Sequence, residues 1–336
     1  MMIDPALALA ILLAGMYSFW MGGNDMANSV APLVGGGVLD FKKASILFAI
    51  SMALGAFIQG YMVIKTLGKG VVSNISVYES VVASIAAIIW IAIATVKGIP
   101  ISTSQSITSG VIGIGLFRFL MIRLWDLKLD VILKIVLSWI LSPLIAILIA
   151  WAICLILLRY SDKLPPRVVN ALSISTLIFT AYSFGANDIA NAIGVYVASL
   201  PSKYGLPDTQ TQLLLTTYAV LLIALGGFIA GKKVVETIGF RITRLTPLLS
   251  ISANTDGITV WLFTTIPYIL FGYGMPISTT YAAVGAVIGT GIARYGRNGL
   301  SIKTVVMIIS SWVFTLPIVA SISMAIAYLL KIFNIL

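Results

Sequence analysis

Long apolar stretches separated by short polar breaks make up almost the whole chain. Apolar runs cover residues 5–39, 44–64, 78–96, 103–122, 131–158, 168–200, 212–231, 248–271, 277–293 and 304–330. About 20 apolar residues carry a helix across a bilayer. The pattern therefore predicts an all-α polytopic membrane protein of about 10–12 hydrophobic helical segments. Polar breaks fall at Asp40–Lys43, Lys65–Ser76, Arg123–Asp130 and Arg159–Arg167, and Pro and Gly cluster at 98–100 and 272–276. Met1–Asp4 lacks a basic start and no Ala-x-Ala exit follows the first apolar run, so that run reads as a first span and not as a cleavable signal.

The pattern then repeats. Gly22-Gly23-Asn24-Asp25-Met26-Ala27-Asn28-Ser29 returns 163 residues later as Gly185-Ala186-Asn187-Asp188-Ile189-Ala190-Asn191-Ala192. Pro100-Ile101-Ser102-Thr103-Ser104 returns 176 residues on as Pro276-Ile277-Ser278-Thr279-Thr280, and Ser138-Trp139 returns 173 on as Ser311-Trp312. Three polar signatures in one order at a nearly constant offset indicate duplication, with repeats at 1–160 and 161–336. Each half holds five segments; if the third and fourth form a re-entrant hairpin, three crossings remain. Both numbers are odd, so the second repeat is expected inverted, a plan that in transporters goes with broken helices and a site near the midplane.

Composition narrows the class further. Hydrophobic residues make up 60% of the chain and charged residues 10%, with mean hydropathy +1.07. A soluble domain carries about 25% charge. The net charge of +10 fits cytoplasmic loops better than a nucleic-acid surface. In the five-crossing arrangement 13 Lys and Arg fall on one face and 8 on the other, which predicts both termini outside the cytoplasm. There is no His, which removes His-based acid–base catalysis and most transition-metal sites, and the single Cys154 cannot form an intrachain disulfide.

Within this apolar chain the duplicated polar residues stand out. An ionised Asp inside a membrane helix costs at least about 2.5 kcal/mol, and the chain carries two at matched positions, Asp25 and Asp188. On a helix Asp25 shares a face with Asn28, three residues on, and Asp188 with Asn191. Gly22-Gly23 and Gly185 are expected to let the helix unwind locally and bare its carbonyls. Carboxylate, amide and carbonyl oxygens form a hard-donor set suited to Na⁺, with Asn24 and Asn187 as further candidate donors. Pro100 and Pro276 are expected in first helical turns, followed by the hydroxyls of Ser102, Thr103, Ser104, Ser278, Thr279 and Thr280. Helix N-termini present free N–H groups and partial positive charge, so two of them facing each other would cradle a small tetrahedral oxyanion without a buried Arg.

The doubled Gly-Gly/Ala-Asn-Asp-x-Ala-Asn motif, each copy followed by a Pro-Ile-Ser-Thr helix start, resembles the inorganic phosphate transporter (PiT) family over essentially the whole chain. The resemblance implies an inverted-repeat transporter, usually dimeric, that couples phosphate uptake to Na⁺ or H⁺. It implies that Asp25, Asn28, Asp188 and Asn191 help hold coupling cations and phosphate, while the six hydroxyls bind the anion. The family often has His where this chain has Gln105, Tyr281 and Phe184. Glu236 resembles the family's Glu after the second helix and is a candidate coupling residue with Gln105, whereas the first-half equivalent is Lys65. No long hydrophilic central loop is present, as in compact prokaryotic forms.

Sulfate remains an alternative substrate within the family. Phosphate near neutral pH keeps an O–H that needs an acceptor, and sulfate has none, so an unpaired buried acceptor would disfavour sulfate by about 1–3 kcal/mol. A passive anion channel would need the hydroxyl-bearing helix starts but not the paired carboxylates, and a membrane enzyme has no nucleophile–base pair to use. Asp256 and Asn254 are a third polar position within an apolar run, and Trp139 and Trp312 read as packing or interfacial residues. The glycines at 35–37 have no Walker lysine after them. No cofactor is expected besides the coupling ion.

Overall fold

The computed structural model of the protein describes residues 5–63, 71–72, 75–199, 209–272, 274–275 and 277–333. Lys65 and Pro276 lie outside them. The first half contributes α1 (Pro5–Gly35), α2 (Phe41–Gln59), α3 (Val77–Val96), α4 (Thr103–Ile122) and α5 (Leu129–Arg159). The second contributes α6 (Pro166–Ser199), α7 (Thr209–Ala230), the short α8 (Lys232–Glu236), a π turn (Thr237–Arg241), α9 (Pro247–Ala253), α10 (Asp256–Phe263), α11 (Thr265–Phe271), α12 (Thr279–Tyr295) and α13 (Ile302–Ile332). The fold is all-helical, and among the described residues the extended pairing is a lone bridge between Val72 and Leu127. Seven described helices are long and apolar enough to cross a membrane: α2 to α7 and α13.

Local chemistry sets the boundaries. Asp40 caps α2 by accepting from the Lys43 N–H at 2.9 Å. Ser76 and Glu79 form a reciprocal capping box at the start of α3. Ser102, Ser278 and Ser301 cap α4, α12 and α13. The structure corrects one expectation here: α4 begins at Thr103, so Pro100 precedes the cap and lies outside the first turn.

Side chains are distributed inside out, as a bilayer requires. Leu148, Val313 and Leu221 are more than 60% exposed, while Asp25, Asp188, Asn24 and Asn187 are fully buried. The two halves pack by exchange. α1 lies on α7 as α6 lies on α2, and α4 lies on α13 as α12 lies on α5. Likewise α1 meets α3 where α6 meets α9 and α10.

The motif glycines do a different job from the unwinding expected of them, because α1 and α6 run helical through both motifs. A Cβ on Gly22 would lie 1.9 Å from the Ile223 carbonyl oxygen, and one on Gly226 would lie 1.8 Å from that of Phe19. The crossing of α6 and α2 reproduces this contact: Gly185 against Met52 at 2.0 Å and Gly55 against Tyr182 at 1.9 Å. These glycines bring helix backbones into direct contact, the small-residue mode of packing in a bilayer. The helical breaks fall instead at 97–102, between α3 and α4, and in the segment 247–271, which splits into α9, α10 and α11.

Candidate functional site

Asn24 and Asn187 hold the two breaks in place. Asn24 Nδ2 donates to Thr95 Oγ1 at 3.0 Å and to the Ile99 carbonyl at 3.1 Å, and its Oδ1 accepts from the Ile101 N–H at 3.0 Å. Asn187 repeats the arrangement, donating to the Ile277 carbonyl at 3.1 Å and accepting from Thr264 Oγ1 at 3.1 Å. Both ends of each amide are therefore engaged with the connection that leads into α4 or α12. That is a clamp on the chain.

With the breaks clamped, the N-termini of α4 and α12 converge on the middle of α1 and α6. Asp25 Oδ2 accepts from Thr103 Oγ1 at 2.5 Å and its Oδ1 from Thr280 Oγ1 at 3.1 Å, so one carboxylate touches the starts of both helices. Asn28 Nδ2 donates to Thr280 Oγ1 at 3.1 Å. The opposite half mirrors this with Ser104 in place of Thr280. Asn191 Nδ2 donates to Ser104 Oγ at 2.7 Å and to Asp188 Oδ1 at 2.8 Å, and Ser104 lies 3.3 Å from that same oxygen. Thr279 stands beside Asp188 as Thr103 stands beside Asp25. Asn28 Oδ1 and Asp188 Oδ2 are buried and make no hydrogen bond.

The remaining hydroxyls of the two clusters serve the helices. Ser102 Oγ accepts from the Gln105 N–H at 3.1 Å, and Ser278 Oγ from the Tyr281 N–H at 3.2 Å. Ser102 and Ser278 are thus N-caps that satisfy helix N–H groups, while Thr103, Ser104, Thr279 and Thr280 supply the hydroxyls of the central cluster. Gln105 accepts from the Tyr281 hydroxyl, joining equivalent positions of the two halves across the site. Tyr281 stacks on Trp312 at 3.9 Å between centroids, and Trp312 Nε1 donates to the Pro100 carbonyl at 3.0 Å. Trp312 therefore braces the first break, in keeping with a packing role. Trp139, Trp312, Gln105 and Tyr281 line a cavity of about 250 Å³ between α5 and α13.

Glu236 ends α8, half-buried, and among the described residues no hydrogen bond or ion pair joins it to the cluster. Asp256 and Asn254 are both buried, at a break separate from the cluster. Sequence reasoning missed Thr95, Thr264 and Tyr17, whose hydroxyl donates to the Thr103 carbonyl at 2.9 Å. Thr95 and Thr264 have no motif around them, and only the folded chain brings them to their asparagines.

The electrostatics of the cluster follow from what surrounds it. Two carboxylates are buried at one place and repel each other. Among the described residues the ion pairs are Lys43–Asp40, Arg118–Glu79 and Arg118–Asp126, none of them at Asp25 or Asp188. Two buried carboxylates, with no ion pair to them among the described residues, thus lie beside two hydroxyl-bearing helix N-termini, which carry free N–H groups and partial positive charge.

A duplicated helical bundle with such a centre at its middle defines a membrane transport protein and not an enzyme. A profile of the phosphate transporter family matches residues 21–166 and 159–323, one match in each half. Relatives bearing the name "Putative phosphate permease" are 30% identical in Pyrococcus furiosus, over 94% of this chain and 94% of that protein, and 30% identical in Thermococcus kodakarensis, over 99% of each. A solved structure described as the sodium-dependent phosphate transporter superposes with a TM-score of 0.82 at 28% identity, over 98% of this chain and 100% of that one. The chain belongs to the phosphate transporter family.

Proposed function

We propose that the protein imports inorganic phosphate by symport with Na⁺, Na⁺ being favoured over H⁺. The observation that carries this reading is the Asp25–Asp188 pair: two buried carboxylates beside four hydroxyls and two helix N-termini, with no Lys or Arg among the described residues paired to them. An anion entering alone would meet like charge in a low dielectric. Cations held by Asp25 and Asn28 and by Asp188 and Asn191 offset that charge, so the anion and its coupling ions are bound together or not at all. Thr103, Ser104, Thr279 and Thr280 donate to the anion, and Ser102 and Ser278 hold the helix starts that present them. The match to a solved sodium-dependent phosphate transporter supports the same ion and the same substrate.

The two unpaired buried acceptors favour phosphate over sulfate. Whichever of Asn28 Oδ1 and Asp188 Oδ2 faces the anion and not a coupling cation can take the O–H that phosphate retains and sulfate lacks. The further elements of the proposal are inverted repeats at 1–160 and 161–336, alternating access between them, both termini outside, and a homodimer in the cell membrane. The exchange packing of the helices and the two separate family matches support the repeats. The 13:8 distribution of basic residues supports the orientation.

The test is uptake of labelled phosphate and labelled sulfate into proteoliposomes with an inward Na⁺ gradient, an inward H⁺ gradient, or neither. Na⁺-driven accumulation of phosphate that excess sulfate does not inhibit is the expected result. Sulfate accumulation with weak competition by phosphate overturns the substrate, and equal uptake without any gradient overturns the coupling.

A further inference from the structure

The helices α5 and α13 hold equivalent places in the two halves, α5 lying on α12 and α13 on α4. Between them opens the cavity of about 250 Å³, and matched positions build its walls. At the offset of 173 residues Trp139 corresponds to Trp312, and on the rim Ile140 corresponds to Val313 and Val136 to Ile309. Gln105 and Tyr281, 176 residues apart, close the inner end through their hydrogen bond. The cavity thus lies where the two halves meet, and its inner wall is next in sequence to Ser104 and Thr280 of the central cluster.

Depth decides what can reach it. Trp139 lies ten residues after the start of α5 at Leu129, and Trp312 ten after the start of α13 at Ile302. At about 1.5 Å per residue both indoles stand about 15 Å from one end of a helix about 46 Å long. That is inside the hydrocarbon core, about 30 Å thick. Ile140 and Val313 on the rim are 53% and 65% exposed, so the mouth opens sideways into hydrocarbon.

The lining decides what can stay. Apart from Gln105 and Tyr281, whose side chains bond to each other, the walls are aliphatic or indole. Such a space offers water too few partners and takes apolar ligands instead; a dry cavity of about 150 Å³ already takes benzene. Without an occupant the indole faces would forfeit their dispersion contacts on one side.

We propose that this cavity binds the end of a phospholipid acyl chain, which enters sideways between α5 and α13 and lies against Trp139, Trp312 and Tyr281. An acyl chain is the apolar ligand that the bilayer supplies at this depth, and it is slender enough to pass between two helices. A second copy of this chain would meet the rim with a helix about 10 Å across, and would cover the mouth without filling the space behind it. Tyr281 stacks on Trp312, and Trp312 holds the Pro100 carbonyl, so the occupant braces both the start of α12 and the break that leads into α4. This inference does not depend on which anion is carried.

The full chain in nanodiscs of a phosphatidylcholine that carries a carbene-generating diazirine at the end of one acyl chain tests it. After illumination, peptide mapping by mass spectrometry is expected to find adducts on the buried Trp139, Tyr281 and Trp312, well above the level on Phe48, which is buried elsewhere in the core. Val136→Trp, which fills the cavity, is expected to lower the adducts on Tyr281 and Trp312 to the Phe48 level and to leave those on the lipid-facing Leu148 and Leu221 unchanged. Wild-type labelling of the three aromatic residues no higher than that of Phe48 overturns the proposal, as does labelling that Val136→Trp leaves unchanged. Protection of Ile140 and Val313 while Leu148 is labelled shows a second copy over the mouth, and overturns it too. If Val136→Trp fails to fold, as judged by size-exclusion chromatography, Ile309→Trp decides by the same comparison. Neither Na⁺ nor phosphate enters the experiment, so failure here is separate from failure of the uptake experiment.

Discussion

Replacing Asp25 with Asn sets two large terms against each other. The carboxylate accepts from Thr103 at 2.5 Å and from Thr280 at 3.1 Å. An amide of the same volume offers one oxygen, so one hydroxyl keeps a neutral acceptor and the other turns away from an NH₂ group. Hydrogen bonds to a charged group contribute about 1.5–3 kcal/mol and neutral ones about 0.5–1.5, so the variant loses about 3–4 kcal/mol of hydrogen bonding. It also removes one of two buried like charges, and a buried ion carries a desolvation penalty of several kcal/mol. The terms nearly cancel, and without Na⁺ the variant should match wild-type stability to within about 1 kcal/mol.

Sodium separates the two proteins. A site filled at 100 times its Kd stabilises the folded state by about 2.7 kcal/mol. At about 2–4 °C per kcal/mol, that is a rise in Tm of about 5–10 °C. Thermal unfolding in detergent, in NaCl against choline chloride, reads the difference. Asp25→Asn should lose this part of the Na⁺-dependent shift and keep the part that belongs to Asp188, and it should no longer concentrate phosphate in proteoliposomes. An Asp25→Asn protein with the full wild-type shift, or with wild-type accumulation of phosphate, refutes the assignment of a cation to this carboxylate.

Other expectations follow from single contacts. Thr280→Val removes the hydroxyl shared by Asp25 and Asn28, and should raise the phosphate concentration for half-maximal uptake about tenfold to a hundredfold, the worth of one bond to a charged group; unchanged concentration dependence would take Thr280 out of the site. Gly22→Ala drives a methyl into the Ile223 carbonyl and should destabilise the protein by about 1–3 kcal/mol or more in thermal unfolding, whereas Gly37→Ala, with open space around it, meets only the strain of its φ of 72°. Asn24→Ala frees the 97–102 connection, and hydrogen exchange at Ile101 should accelerate at least tenfold while the middle of α5 stays protected. The Asp40 carboxylate is held below its ordinary value by the backbone N–H of Lys43, so the cap of α2 is intact above the usual carboxylate range and is lost as pH falls through the lowered value. Hydrogen exchange at Lys43 followed on acidification should show fraying there in wild type, and Asp40→Asn should remove that pH dependence.

The limits of sequence reading here can be traced to particular residues. Span positions were legible because a bilayer demands unbroken apolar length, and α2, α4 and α13 fall within a few residues of the runs that predict them. The central cluster was legible because duplication repeats Asp25 with Asn28 and Thr103 with Ser104 at fixed offsets, and coincidence does not preserve polar registers in apolar chains. Roles within the cluster were less legible, since spacing cannot say which hydroxyl caps a helix and which faces the site. Ser102 and Ser278 look like Thr103 and Thr279 in sequence, but backbone geometry turns the first of each pair toward an N–H three residues on. Glycine is similarly ambiguous: Gly22 and Gly185 permit unwinding in isolation, and only the partner backbones at Ile223 and Met52 convert them to helix contacts. Asn24 illustrates the same limit, because its partners Thr95, Ile99 and Ile101 lie more than 70 residues away. Symmetry thus makes a site conspicuous without ranking its members. Asp256 reads in sequence only as a third polar position within an apolar run, and it takes the break between α9 and α10 to show it buried.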